Sequence, residues 1–130
     1  MRLYLVRHAE AAPGEPDELR PLTANGRAAA RSLGEHLRAE AGSVDAVLSS
    51  PLLRARETAN AIARELGIEA EPVDLLAPGA TESDLLAAVD GRGETVVTVG
   101  HQPDCGNIAA ALHGVQPAFP PGACVRLDLE

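Results

Sequence analysis

The sequence predicts an α/β fold: a mainly parallel sheet with helices on both faces and a last strand added as an antiparallel edge.

 Three observations carry this reading. Strand-like and helix-like segments alternate along the chain. Three of the strand segments are continuous apolar runs, as strands covered on both faces require. The final one alternates apolar and polar residues, as a half-exposed edge strand does.

Each element has its own signal. Leu3 to Val6 reads as a buried strand. Residues 9 to 21 contain Pro13, Pro16, Pro21 and Gly14 among several acids, which makes them a loop. Thr23 is placed to cap a helix whose apolar positions Ala30, Leu33 and Leu37 share one face, and Gly42 ends it. Val44 to Leu48 is the second strand. Ser50 then reads as an N-cap with Pro51 at the first helical position, where a missing N–H is harmless. Leu52, Ala55, Ala59, Ile62 and Leu66 form the buried stripe of that helix, and Gly67 closes it.

Residues 71 to 76 suit a short strand and Ser83 to Val89 a short helix. Thr95 to Val99 is the strongest strand in the chain. Pro103 to His113 reads as a helix stopped by Gly114. Cys124 to Leu129 sets Val125, Leu127 and Leu129 against Arg126 and Asp128. No internal repeat or linker divides the chain, so residues 1–130 are expected to form one domain.

Composition narrows the function. The formal net charge is −8 and aromatic residues are nearly absent. Neither suits a nucleic-acid platform or an anionic-membrane binder. All 11 basic side chains are arginines, which excludes lysine Schiff-base chemistry and a P-loop lysine. Cys105 and Cys124 lack zinc-site spacing and are either two small buried residues or a disulfide. No apolar run is long enough for a signal-peptide core or a membrane span, so the expected location is the cytoplasm.

In parallel α/β sheets, ligands sit beyond the carboxyl ends of the strands. Arg7 and His8 follow the first strand. Ser49, Ser50 and Pro51 follow the second, with Arg54 one turn into the helix. Gly100 and His101 follow the strongest strand. Taken singly, each has an ordinary explanation as a solvated loop, surface or capping residue. Their convergence on one edge from three distant segments points to a shared site.

The residue types fit a phosphoryl group. Arginine presents a planar fork of donors to phosphate oxygens. The helix start near Pro51 adds free N–H groups and a favourable dipole. Thr58, one turn beyond Arg54, could brace it. A neutral His8 is a competent nucleophile toward phosphorus, and nearby arginines disfavour its protonated form. Its second ring nitrogen needs a partner, most simply a backbone carbonyl. His101 can then donate to an oxygen of the transferring group.

Zinc would want more ligands and fewer cations around the histidines, so no metal or other cofactor is expected. A Ser-His-Asp hydrolase would want a G-x-S-x-G elbow, which is absent. His36 and His113 read as structural or solvated.

The segment Leu5-Val6-Arg7-His8-Ala9-Glu10 resembles the Arg-His-Gly/Ala signature of the histidine phosphatase superfamily. Arg20-Pro21-Leu22-Thr23-Ala24-Asn25-Gly26 resembles its PLT-x-x-G segment. Residues 49–58 resemble its S-S-P-x-x-R-A-x-x-T block, and Val99-Gly100-His101-Gln102-Pro103 its second-histidine motif. These cover most of the chain in order. The resemblance implies a phosphoglycerate mutase-like fold, phosphorylation of His8, and a phosphate pocket of Arg7, Arg54 and His101. The small size is similar to the SixA-type bacterial phosphohistidine phosphatases, as is the terminal strand around Pro121-Gly122-Ala123-Cys124-Val125.

Larger members of that superfamily take a general acid from an inserted region, which here shrinks to residues 75–82. Glu82 and Asp84 are the nearest candidates, with Glu10 and Glu18 as others; helix-start carboxylates are also simply stabilised by the dipole. Arg20, Glu10 and Glu82 are expected at the pocket rim. The expected substrate is a phosphohistidine-bearing protein. A small phosphorylated metabolite is the alternative, and a non-catalytic phospho-ligand module is a third reading that the intact His8 disfavours.

Overall fold

Strands β1 (Arg2–Arg7), β2 (Ala46–Ser49), β3 (Ala70–Pro72), β4 (Thr95–Gly100) and β5 (Cys124–Asp128) form one sheet in the order β3-β2-β4-β1-β5, in a computed structural model that describes residues 1–130. β1 and β2 flank β4 and run parallel to it, and β3 runs parallel to β2. β5 is antiparallel to β1 and closes the other edge. The register sets Val6 and Ser49 both opposite Val99. The carboxyl ends of the three central strands therefore finish level.

Side chains alternate across the pleat, and the helices divide accordingly. Tyr4, Val6, Val47, Val97 and Val99 pack against Leu37 of α1 (Ala24–Ala41) and against Ala55, Ala59 and Ile62 of α2 (Leu53–Leu66). On the opposite face Leu3, Leu5, Leu48 and Val96 meet Leu85 and Val89 of α3 (Glu82–Val89) and Ile108 of α4 (Asp104–His113). Each fully buried Val, Leu or Ile among these contributes about 1.5–3 kcal/mol. Every helix is thus committed to a sheet face. Cys105 lies in one core and Cys124 borders the other, so the two cannot pair, and both are free thiols.

Helix ends follow local chemistry. The Thr23 hydroxyl accepts the Gly26 N–H at 2.9 Å and caps α1. Gly26 itself is required by a close approach, because a methyl group there would collide with the Glu10 carbonyl oxygen. Gly67, in the left-handed region at φ 75°, ends α2.

Several boundaries differ from expectation. Ser50 does not cap α2, which begins at Leu53 with Leu52 as its N-cap, and Pro51 lies before the helix. The Ser50 hydroxyl is committed elsewhere, as described below. Arg54 is accordingly the second residue of α2 rather than one turn in. The expected strand at 71–76 stops at Pro72, the last residue that can serve an edge before the chain turns into a 3-10 turn over Asp74–Leu76. α3 starts at Glu82, capped by Thr81. The loop after β1 contains a further 3-10 turn, Asp17–Leu19, and one bridge between Ala11 and Leu22.

Candidate active site

His8, Ser50 and His101 leave the level ends of three adjacent parallel strands, and backbone bonds fix those exits. The His8 N–H donates to the Gly100 carbonyl at 2.9 Å and the Ser50 N–H to the Val99 carbonyl at 2.9 Å. The His8 and His101 rings lie 5.3 Å apart between centroids, tilted by 56°. Both are buried, at 8% and 5% exposure.

His8 Nδ1 lies 2.8 Å from the carbonyl oxygen of Ala9. A carbonyl only accepts, so Nδ1 carries the proton and the Nε2 lone pair is free. Ala9 is held in turn: its N–H donates to Thr58 Oγ1 at 3.0 Å, and the Thr58 hydroxyl donates to the Arg54 carbonyl at 2.8 Å. Thr58 therefore braces the residue after His8 rather than the Arg54 guanidinium.

His101 Nε2 lies 2.7 Å from Ser50 Oγ, and its Nδ1 is buried without a partner. Ser50 Oγ already accepts the Leu52 N–H at 3.2 Å. Its own proton is free to go to Nε2, which leaves Nδ1–H as a donor. Sequence reasoning missed this role because it spent the same hydroxyl on a helix cap.

The arginines come from both sides. Arg7 is anchored by a 2.9 Å bond from NH1 to the Phe119 carbonyl, and its buried Nε has no partner. Arg54 is 8% exposed and donates to Asp17 twice, from NH1 to the backbone oxygen at 2.9 Å and from NH2 to Oδ2 at 3.1 Å. Arg20 NH1 reaches Asp17 Oδ1 at 3.0 Å. Asp17 was not singled out in the sequence; the D-x-x-R spacing ahead of Pro21 was its signal.

Of the rim residues, Arg20 is joined to Arg54 through Asp17. Glu10 and Glu82 are not hydrogen-bonded or ion-paired to His8, Arg7, Arg54 or His101. Glu10 instead accepts from the Thr23 hydroxyl at 2.7 Å. Glu82 is exposed in the first turn of α3. Asp84 is used in the capping box with Thr81, and Glu18 is exposed on the 3-10 turn. His36 lies 3.5 Å from Glu40 on the surface of α1, and exposed His113 ends α4. No group of three or more His, Cys, Asp or Glu side chains is arranged to hold a metal ion. No helix is long and apolar enough to cross a membrane.

Burial holds both histidines neutral. His8 is pushed below the ordinary 6.5 by desolvation, helped by Arg54, Arg7 and Arg20 and opposed by the Ala9 carbonyl. Desolvation, then the neighbouring His8 and Arg54, lower His101 to about 4. The folded protein therefore binds fewer protons than the unfolded chain below pH 6.5, and stability must fall as pH drops from there toward 4. The urea midpoint should decline through that window, and His101→Asn should make the decline shallower. A wild-type midpoint that stays flat from pH 6.5 to 4 would contradict buried neutral histidines.

A family model described as "Histidine phosphatase superfamily (branch 1)" matches residues 3–78, which include Arg7, His8 and Arg54. The chain belongs to the histidine phosphatase superfamily. It is 30% identical to phosphohistidine phosphatase SixA of Escherichia coli over 139 aligned residues, covering all of this chain and 86% of that protein. It is 37% identical to an uncharacterized protein of Picosynechococcus, over 86% of this chain and 73% of the relative.

Among solved structures, the histidine phosphatase SixA in complex with tungstate superposes with a TM-score of 0.86 at 29% identity, over 98% of this chain and 89% of that one. A SixA from Agrobacterium tumefaciens, described as a putative phosphohistidine phosphatase, gives 0.83 at 31%, over 98% and 90%. The fold is the phosphoglycerate mutase-like one, and the superfamily and SixA similarity support phosphatase activity.

Proposed function

We propose that the protein hydrolyses phosphohistidine borne by another protein, through a phosphoryl intermediate on His8. The observation that carries this is that no carboxylate is hydrogen-bonded to His8 or His101, whose ring partners are the Ala9 carbonyl and the Ser50 hydroxyl. Asp17 is the one carboxylate bonded to a site arginine, and Arg20 first, with Arg54, holds it below its ordinary range. It stays ionised and has no proton to give.

In the first step His8 Nε2 attacks phosphorus as the bond to the leaving group breaks in line. Arg7, Arg54 and His101 Nδ1–H meet the charge on the equatorial oxygens. The departing imidazole of the substrate takes its proton from solvent. Water then attacks phosphorus, the P–Nε2 bond breaks, and phosphate leaves with His8 neutral again. The arginines supply the positive charge that a divalent cation supplies elsewhere, so the reaction needs no metal.

The lack of a helical cap suits a large substrate. No helix is left over to roof the site, because all four are packed on the sheet. The turn before α3 is tied down by Asp104, which accepts the Gly79 and Ala80 N–H groups at 2.8 and 3.2 Å. The Escherichia coli relative, phosphohistidine phosphatase SixA, supports the same substrate class, and a SixA structure of similar fold binds tungstate, an oxyanion like phosphate. Free thiols suit a cytoplasmic setting.

The test is a rate series against leaving-group basicity, run with a chelator present. Alkyl phosphates leave as alkoxides and need a positioned acid, which is worth about 10²-fold or more. They should be slower than phosphohistidine by at least that factor, with aryl phosphates between. Equal rates across the series would reveal a general acid and favour a small phosphorylated metabolite as substrate. Loss of activity on chelation, restored by added metal, would overturn the metal-independent mechanism.

A further inference from the structure

We propose that Asp17 is a positioning residue that joins Arg54 and Arg20 into one phosphate-gripping unit. This assignment rests on the phosphate-site reading above and adds two residues to it.

The geometry is reciprocal. Each carboxylate oxygen of Asp17 takes a different arginine: Oδ2 accepts from Arg54 NH2 at 3.1 Å and Oδ1 from Arg20 NH1 at 3.0 Å. The Asp17 backbone oxygen adds a third bond, from Arg54 NH1 at 2.9 Å. Arg20 is fixed at its other end by Nε donating to the Ala12 carbonyl at 2.8 Å. Both guanidinium groups are thereby held by specific edges, and rotation about their long side chains is restricted.

The grip leaves capacity for a ligand. A guanidinium has five N–H donors in a fixed plane. Arg54 spends one from each terminal nitrogen on Asp17, which leaves one on each and Nε–H. Two arginines and one carboxylate also leave a net positive charge at the site. Arg20 already acts on the nucleophile at a distance, as one of the cations that disfavour protonation of His8.

The contrary possibility is that Asp17 competes with phosphate for Arg54 and must be displaced. The two ideas predict opposite signs. If Asp17 positions, its removal loosens Arg54 and Arg20 together; if it competes, removal frees Arg54 for the anion.

The experiment uses Asp17→Ala, Asp17→Asn, Arg20→Ala and the Asp17→Ala/Arg20→Ala double variant, with an aryl phosphate as substrate and orthovanadate as inhibitor. Thermal melting of each variant checks folding. Asp17→Ala and Arg20→Ala should each lower kcat by about tenfold or more, with smaller changes in KM. The double variant should be no slower than the slower single, since both substitutions dismantle one unit. Asp17→Asn, which keeps an acceptor oxygen for one arginine, should fall between. Vanadate inhibition should weaken in parallel. Unchanged or raised kcat in Asp17→Ala, tighter vanadate inhibition, or losses that multiply in the double variant would overturn the assignment. A wild type that vanadate does not inhibit would instead sink the phosphate-site reading itself.

Discussion

His8→Ala protein should fold as the wild type does and lose turnover by about 10⁴-fold or more. The ring makes one hydrogen bond, to the backbone of the next residue, and that residue is held separately by Thr58. Losing the imidazole therefore removes chemistry without removing the bonds that shape the loop. No other group in the site can replace it. His101 has Nε2 against Ser50, and the Cys105 thiol is pushed up to about 12 by burial, far from a usable thiolate. Wild type quenched during turnover of labelled substrate should carry a phosphoryl label stable in base and lost in acid, as phosphohistidine is. A base-stable label of normal amount on the His8→Ala protein would show that another nucleophile does the work.

Arg54→Lys should also be strongly damaging, despite keeping the charge. The lysine ammonium is a point donor on a flexible stem, whereas the guanidinium holds Asp17 with one pair of N–H groups and offers others in the same plane. Both the phosphate contact and the connection to Arg20 depend on that plane. A loss of about 10²-fold is expected, mainly in kcat, because the equatorial oxygens of the transition state differ in geometry from those of the bound ester. Near-normal kcat with a raised KM would reduce Arg54 to a simple binding residue.

The fold was legible because its signals are local. Apolar runs at Leu3 to Val6 and Thr95 to Val99 announced doubly covered strands, and Thr23, Gly42, Gly67 and Gly114 marked helix ends that the structure retains. His8, Arg54 and His101 were legible because a parallel sheet sends everything after its strands to one edge. The partners of those residues were not. Ser50 has the local chemistry of a helix cap, and only the neighbouring strand β4 brings His101 to its hydroxyl. Asp17 sits 37 positions from Arg54 in a proline-rich loop, where no periodicity indicates which way a carboxylate will face. Glu10 and Glu82 illustrate the converse: acidic residues near a motif in sequence, engaged with a threonine in one case and exposed to solvent in the other.

Arg54, Glu57 and Thr58 lie three and four residues apart on one face of α2, and all three hold the loop that follows His8: Arg54 at Asp17, Glu57 at the Leu22 N–H, 2.8 Å away, and Thr58 at Ala9. Between these moorings, Pro13, Gly14 and Glu15 are exposed and make no hydrogen bond. The loop is therefore a bridge with fixed piers and one slack span. Residues can be exchanged or inserted in that span without shifting the nucleophile, whereas a one-residue change between Ala9 and Ala12 would pull on Thr58 and Arg20 at once. Variation in what the protein recognises has a place to accumulate beside the site, mechanically insulated from the chemistry.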